Sequence, residues 1–231
     1  MSVRPRCVAT DLDRTLTGED LRLDPLALAR IEALRRAGVL VVVATGRRLE
    51  ELLDMGLQAR VDGLVAENGA IVCLPGDQVM ETTGAAFADA ARAALGDLAG
   101  AFAWGRVLGS GPRGLAEEAS VRLARAGVPH ALSFNAEEVM LLPEGVDKAR
   151  GLARCLAHLG VDPGACWAIG DGENDVPMLR LAALGAAPAN AVPEARAAAD
   201  VLLAASHARA FLDLTAPLAP EGLRADAAPP S

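Results

Sequence analysis

The chain of 231 residues is 52% hydrophobic and 23% charged, and its formal net charge is −8 at pH 7. This hydrophobic content supports a sizeable core and excludes a chain that is disordered throughout. The acidic balance argues against nucleic acid or an anionic membrane as the main partner, because both bind basic surfaces.

Targeting and redox features are those expected of a cytoplasmic protein. Residues 1–13 lack the apolar core of a signal peptide. The longest strongly apolar stretch, 39–44, is far shorter than the ~20 residues that a membrane helix needs. None of the four cysteines lies in a CxxC or CxxH spacing, which predicts buried, reduced thiols. The sequence leaves room for a homo-oligomer.

Strand and helix patterns alternate at both ends of the chain. The early elements are, in chain order, a buried strand at 6–12, a helix from Asp24 to Gly38, a β-branched strand at 39–45, a helix ending at Gly56 and a short strand near 64–65. The late elements are a helix at 147–159, a strand entering a turn at 166–172, a helix at 176–183, a strand at 184–187, a helix at 193–199 and a strand at 201–203. This order predicts an α/β fold, a Rossmann-like doubly wound parallel sheet.

A different pattern fills the middle of the chain, 76–145. Its predicted elements are two alanine-rich helices at 85–98 and 115–126 and strands at 102–107, 131–134 and 138–142. We interpret this stretch as a small α/β domain inserted into a core formed by 1–75 and 146–214. The tail, 215–231, is rich in proline and alanine and is expected to be loosely ordered.

The first strand ends in two aspartates within the segment DLDRTLTG. Asp11 and Asp13 are two residues apart, so in an extended chain their side chains share one face. Two carboxylates held this close repel each other and resist desolvation. A positive charge is therefore expected between them.

Polar residues also occur at the ends of two later strands and at the start of one helix. They are Thr45, Gly46 and Arg47 in VVVATGRR, Asp171, Asn174 and Asp175 in AIGDGENDVPML, and Lys148 in GVDKARG. Any one of them has an ordinary explanation, since aspartate caps helices, threonine forms turns and a lone lysine is usually solvated. Together they converge on the sheet edge where parallel α/β folds bind ligands. The set is rich in oxygen and poor in histidine, which suits Mg²⁺ better than zinc.

These motifs resemble those of the haloacid dehalogenase superfamily. DLDRTLTG is similar to its DxDGTL motif, VVATGR to its Ser/Thr motif, Lys148 to its lysine motif and GDGEND to its acidic fourth motif. The insertion after ENGA (67–70) resembles the C2-type cap of the Cof-like branch. That branch includes archaeal-type phosphoglycolate phosphatase, sucrose-phosphate phosphatase and mannosyl-3-phosphoglycerate phosphatase. The short insertion resembles the phosphoglycolate-phosphatase end of this range.

The resemblance implies a role for each matching residue. Asp11 would be the nucleophile that forms an aspartyl-phosphate, and Asp13 the general acid and base. The implied ligands of Mg²⁺ are Asp11, the backbone carbonyl of Asp13, Asp171 and Asp175. The implied substrate- and phosphate-binding residues are Thr45, Gly46, Arg47, Lys148 and Asn174.

One residue departs from the family pattern, because Arg14 occupies the place of the glycine in DxDGTL. Its side chain either turns to solvent or points toward the cap and helps to hold an anionic substrate. Both aspartates of the motif are intact, so activity is expected to survive.

The resulting hypothesis is a Mg²⁺-dependent phosphatase acting on a small phosphorylated metabolite, of phosphoglycolate or sugar-phosphate type. Alternatives are a phosphomutase of the same superfamily and a phospho-accepting receiver module, although a receiver needs no cap and would not explain GDGEND. The segment GSGPRG (109–114) fits a dinucleotide-binding pattern literally. It is discounted, because a proline interrupts it and no acidic residue follows at the ribose-binding distance.

Overall fold

The computed structural model of the protein describes residues 4–74, 78–81 and 86–219. The strands are β1 (Cys7–Thr10), β2 (Leu40–Ala44), β3 (Gly63–Ala66), β4 (Ile71–Leu74), β5 (Gln78–Glu81), β6 (Ala103–Trp104), β7 (Gly109–Pro112), β8 (His130–Asn135), β9 (Glu138–Pro143), β10 (Cys166–Ile169), β11 (Leu184–Ala187) and β12 (Val201–Leu202). The α-helices are α1 (Pro25–Arg36), α2 (Leu49–Asp54), α3 (Ala86–Leu95), α4 (Ala116–Arg125), α5 (Lys148–His158), α6 (Val176–Leu181), α7 (Pro193–Ala198) and α8 (His207–Thr215).

Within the described residues, the larger sheet has eight strands in the order β12-β11-β10-β1-β2-β3-β4-β5. Every pair from β12 to β3 is parallel, and β4 and β5 add an antiparallel edge. The chain moves from β1 to β2 on one side and returns later to β10 on the other. The predicted α/β class and Rossmann-like parallel sheet are confirmed, and the topological switch point lies at the carboxyl end of β1.

Strand β2 shows why this sheet is covered on both faces. Its side chains alternate, so Val41 and Val43 join the apolar cluster that contains residues of α1. Val42 and Ala44 join a second cluster on the opposite face, with residues of α5. A strand buried on both faces needs apolar side chains at every position, which is the pattern that predicted it.

The core elements that the sequence predicted are found to within a few residues, and the four cysteines are buried thiols, as expected. Strands β4 and β5 and helix α8 were not predicted.

Thr215 ends α8 and a 3-10 helix follows at Ala216–Leu218, with Leu218 buried. The predicted start of the loose tail at 215 is therefore too early. The rest of the predicted tail, 220–231, lies outside the described residues. No described helix is both long and apolar enough to cross a bilayer.

A second, antiparallel sheet with the order β6-β7-β9-β8 lies in the middle of the chain. We call residues 86–143, which carry this sheet and helices α3 and α4, the cap. Strand β5 falls inside the range predicted for the inserted domain, yet it pairs with β4 in the larger sheet. The domain limits at 76 and 145 stay a prediction.

Strand β7 was missed because its sequence, GSGP, has the composition of a turn. Its glycines make room for aromatic neighbours: a Cβ on Gly109 would lie 2.7 Å from the Trp104 ring, and one on Gly111 would lie 2.6 Å from Phe102. Each glycine therefore serves close packing within the cap sheet.

Helix α5 approaches the larger sheet closely through Gly151. A Cβ on Gly151 would lie 2.5 Å from a Val65 methyl and 2.6 Å from the Cα of Gly69. Because backbone atoms cannot yield as a flexible side chain can, this contact sets the depth of α5. Lys148 is the first residue of that helix.

We expect Gly151→Ala to destabilise the protein by about 1–3 kcal/mol, because the overpacking outweighs the helix propensity that alanine gains. The measurement is the free energy of unfolding in urea. Gly100→Ala is the control, since apart from its chain neighbours no atom of the described residues lies within 4 Å of its added Cβ. A Gly151→Ala protein more stable than the wild type would contradict the close approach.

Candidate active site

The predicted site residues follow the carboxyl ends of adjacent parallel strands. Asp11 follows β1, Thr45 follows β2 and Asp171 lies two residues beyond β10. Because β1 pairs with both β2 and β10, these three ends meet at one edge of the sheet. Lys148 reaches the same place from the start of α5.

Three buried carboxylates form the centre of the site. Asp11, Asp171 and Asp175 each offer an oxygen, and these oxygens all lie within 4.8 Å of one another. The ammonium group of Lys148 donates to Asp11 Oδ1 at 2.6 Å and to Asp175 Oδ1 at 2.5 Å. The lysine side chain is only 1% exposed, so its charge interacts with these two carboxylates rather than with solvent. Three carboxyl groups thus lie around one buried ammonium group.

Burial and the neighbouring charges shift the pKa values in this cluster. Burial, followed by the charge of Asp175, raises the pKa of Asp11 well above its usual range. The same two causes raise the pKa of Asp171 to about 6. Burial alone would lower the pKa of Lys148, but Asp11 and Asp175 raise it above its ordinary value, so the amine stays protonated. A further cation at this place would stabilise the ionised carboxylates.

Several bonds hold the acidic groups in place. Thr15 Oγ1 donates to Asp171 Oδ1 at 2.9 Å, and Asn190 Nδ2 lies 3.3 Å from Asp171 Oδ2. Asp175 Oδ2 accepts from the backbone N–H of Gly172 at 2.8 Å. Sequence reasoning missed Thr15 and Asn190. A signal was present for Asn190, since it is a polar residue beyond the carboxyl end of β11.

Asp13 has a different partner from Asp11. The guanidinium of Arg47 binds both of its oxygens, with Nε to Oδ2 at 2.9 Å and Nη2 to Oδ1 at 2.5 Å. Among the described side chains, Asp11 and Asp13 thus have separate cationic partners, Lys148 and Arg47, and a shared cation between them stays a prediction. Strand β1 ends at Thr10 and the chain turns, so the alternation of an extended strand no longer applies at Asp13. The side chain of Asp13 is not part of the carboxylate cluster.

The residues after β2 form a tight turn against the cap. Thr45 is buried, and its Oγ1 accepts from the backbone N–H of Arg47 at 3.1 Å. A Cβ on Gly46 would lie 3.0 Å from Met140 Sδ in the cap and 3.8 Å from Asn174 Nδ2. That Asn174 amide donates to Asn68 Oδ1 at 3.1 Å. Gly46 thus lets cap and core approach closely at this turn.

Arg14 adopts a left-handed backbone conformation with φ of 59°, the conformation that glycine adopts most easily. Local bonds hold it there: its N–H donates to Thr17 Oγ1 at 2.7 Å, and its carbonyl lies 3.0 Å from both Asn190 Nδ2 and His207 Nδ1. Its guanidinium is half exposed and lies 3.9 Å from Asp171 Oδ2. The side chain also lines the cavity described next, so it is not directed only to solvent.

A cavity of about 620 Å³ lies between core and cap. Its core wall includes the predicted residues Asp11, Asp13, Thr45, Gly46, Arg47 and Asn174. Its cap wall includes Leu108, Ser110, Asn135, Glu138 and Met140. The size lies within the range of small-molecule sites. Another contact joins cap and core, since Arg113 of the cap binds Glu173 of the GDGEND loop, with Nη1 to Oε2 at 2.8 Å.

Comparisons with known proteins agree with this geometry. A phosphoglycolate phosphatase of Methanopyrus kandleri is 29% identical over 221 residues, which covers 87% of this chain and 91% of that relative. One of Natronomonas pharaonis is 35% identical over 224 residues, covering 89% and 94%. A crystal structure of a Thermoplasma acidophilum protein shares the fold, with a TM-score of 0.79 at 17% identity, covering 94% of this chain and 99% of that one.

A family model described as haloacid dehalogenase-like hydrolase matches residues 8–94 and 122–212. These two ranges include every core motif identified above, from DLDRTLTG to GDGEND, and together they span most of the chain. The protein therefore belongs to the haloacid dehalogenase-like hydrolase family.

Proposed function

We propose that this protein is a Mg²⁺-dependent phosphatase that hydrolyses a small phosphorylated metabolite through an aspartyl-phosphate on Asp11. The observation that carries the proposal is the buried cluster of Asp11, Asp171 and Asp175 with Lys148, placed beside a cavity that the cap covers. Family membership supports the same chemistry, since relatives with similar length are named phosphatases.

The residues of the cluster suit Mg²⁺. Their donors are carboxylate oxygens, which this hard cation prefers. Burial, and after it the charge of Asp175, raises the pKa values of Asp11 and Asp171, so a bound cation would favour their ionised forms. Asp11, Asp171 and Asp175 would hold the ion. When bound, it would offset the repulsion between an anionic nucleophile and an anionic phosphate.

In the first step, a carboxylate oxygen of Asp11 forms a bond to phosphorus while the bond from phosphorus to the leaving oxygen breaks. The leaving oxygen takes its proton from Asp13. Lys148 and Thr45 stabilise the negative charge around the phosphorus, which is the main task of a protein in phosphoryl transfer. Both Asp13 oxygens accept from Arg47 here, so one of these bonds must be released before the proton is delivered.

In the second step, water attacks the phosphorus and gives its proton to Asp13, and the bond between phosphorus and Asp11 breaks. Phosphate leaves and both aspartates return to their starting states. Covalent capture thus divides one difficult displacement into two easier ones.

The substrate is of the phosphoglycolate or sugar-phosphate type. The phosphoglycolate phosphatases among the relatives support the first, and a cavity of about 620 Å³ has room for either. The leaving group would lie against the cap wall, so side chains such as Ser110, Asn135 and Glu138 would select it.

A panel of phosphometabolites, assayed for released phosphate with and without Mg²⁺, tests the activity and its substrate range. Repeated release of phosphate supports a phosphatase. A phosphomutase would instead return the phosphoryl group to the sugar and require an activating bisphosphate.

Asp11→Asn removes the nucleophile's charge but keeps its shape, so we expect kcat to fall by at least about 10³-fold. Phosphate release from the best panel substrate is the measurement. Asp54→Asn, an exposed aspartate at the end of α2, is the control and should stay within twofold of the wild type. Undiminished turnover by Asp11→Asn would contradict the proposed mechanism.

Asp13→Asn should slow both proton transfers, each by about 10²–10⁴-fold. With p-nitrophenyl phosphate, whose leaving group needs little protonation, the first step should survive and the phosphoenzyme should accumulate. Rapid-quench trapping would show a burst of p-nitrophenol close to one per enzyme. Steady release without a burst would mean that Asp13 does not act in the second step.

Mg²⁺ should stabilise the protein, by about 2.7 kcal/mol at a hundred times its Kd, since it binds the folded state alone. Thermal unfolding in EDTA and in Mg²⁺ measures the gain. Asp171→Asn should lose most of it, whereas Asp54→Asn should keep it. An equal gain in the Asp171→Asn protein would place the ion elsewhere.

A further inference from the structure

Glu67 is a fully buried acidic residue that takes no part in the proposed chemistry. It directly follows β3, in a short 3-10 helix at Glu67–Gly69. Its carboxylate accepts three backbone hydrogen bonds from the cap: Arg106 N–H at 3.0 Å to Oε1, and Val107 N–H and Leu108 N–H at 2.9 Å each to Oε2. These donors belong to the loop 105–108, which joins β6 to β7.

The cap loop is shaped around this carboxylate. A Cβ on Gly105 would lie 2.5 Å from Glu67 Oε1, so only glycine fits there. Gly105 N–H also donates to the carbonyl of Leu108 at 2.9 Å, which closes the loop. Leu108 in turn lines the cavity. The carboxylate therefore determines where one wall of the cavity lies.

The backbone of the same segment is bound to the turn after β2. Glu67 N–H donates to the carbonyl of Arg47, and Asn68 N–H to the carbonyl of Thr45, both at 2.9 Å. Glu67 and Asn68 have φ of 49° and 55°. A left-handed conformation costs a non-glycine residue roughly 1–2 kcal/mol and persists only where the surroundings enforce it. The segment is thus held from both sides, by the turn and by the cap.

We propose that Glu67 is a positioning residue that fixes the cap loop 105–108 in register with the turn 45–47. The inference rests on the proposed function only for its effect on turnover. A carboxylate is needed because all three partners are donors. A glutamine would turn its NH₂ group toward at least one of these backbone N–H groups. That N–H would then be buried without an acceptor.

A second contact joins the same loop to the core and provides a matched control. Arg106 Nε donates to Glu50 Oε1 at 2.7 Å, with both side chains partly exposed. Exposed ion pairs contribute little. Glu50 does not line the cavity. Glu67→Gln and Glu50→Gln therefore remove the same charge from two contacts of one loop, one buried and one exposed.

The first test is amide hydrogen exchange of the folded protein, read by mass spectrometry. In Glu67→Gln, the peptide that covers 105–108 should exchange at least tenfold faster, while peptides of β1 and β2 keep their wild-type rates. In Glu50→Gln, the loop should stay within about twofold of the wild type. Unchanged exchange of the loop in Glu67→Gln, or equal acceleration of every peptide, would overturn the proposal.

The second test uses turnover. Glu67→Gln should lower kcat/KM at least tenfold for the best panel substrate, mainly through KM, because its leaving group meets the cap. Acetyl phosphate, whose leaving group is small, should lose less than threefold. Equal losses for both substrates would indicate a general structural role and count against the proposal.

If Glu67→Gln does not fold, Gly105→Ala disturbs the same contact from the cap side and is tested identically. Exchange is measured without substrate, so its result stands even if the phosphometabolite panel shows that the protein releases no phosphate. Accelerated exchange of the loop in Glu67→Gln, together with a wild type that releases no phosphate, would support the role of Glu67 and reject the phosphatase function. Unchanged loop exchange with an active wild type would reject the role of Glu67 alone.

Discussion

The site depends on one constraint, the repulsion between buried carboxylates at one edge of the parallel sheet. Asp11, Asp171 and Asp175 are buried there with oxygens within 4.8 Å of one another, and burial makes their repulsion more costly than it would be in water. Lys148 offsets part of the cost by contacting two of them. The close packing of α5 at Gly151 matters because it delivers this lysine to the cluster.

The cap is joined to this edge by two kinds of contact. Glu67 is buried and accepts from three backbone N–H groups, whereas Arg113 and Glu173 form a partly exposed ion pair. A buried, fully bonded carboxylate is costly to detach, because its oxygens would lose all their partners. An exposed pair exchanges its partners for water at little cost. Of these two contacts, the buried one at Glu67 is therefore the more costly to break.

Arg14 stands at the glycine position of the DxDGTL pattern, and its backbone adopts a conformation that suits glycine. The left-handed conformation at this position suits glycine, yet here bonds to Thr17, Asn190 and His207 hold an arginine in it. In this chain the left-handed backbone at position 14 is thus formed without glycine. The side chain that results adds a positive charge to the wall of the cavity beside Asp171.

The amino-acid sequence by itself determined the parallel core and the residues that gather at its edge. Continuous apolar runs such as 39–45 reveal a strand covered on both faces, and strand ends rich in aspartate reveal where chemistry is concentrated. These are local patterns, and each is complete within a few residues. The family motifs add their order along the chain.

Only the tertiary structure decided which charges are paired. Asp11 binds Lys148, 137 residues away, while Asp13 binds Arg47, 34 residues away, and sequence patterns say nothing about partners at such separations. The strand β7, hidden in a glycine-rich segment, forms because aromatic side chains pack over its glycines. Likewise Glu67 became recognisable as an anchor only when folding brought three backbone donors of the cap to its carboxylate, since backbone hydrogen bonds across a fold leave no trace in residue types.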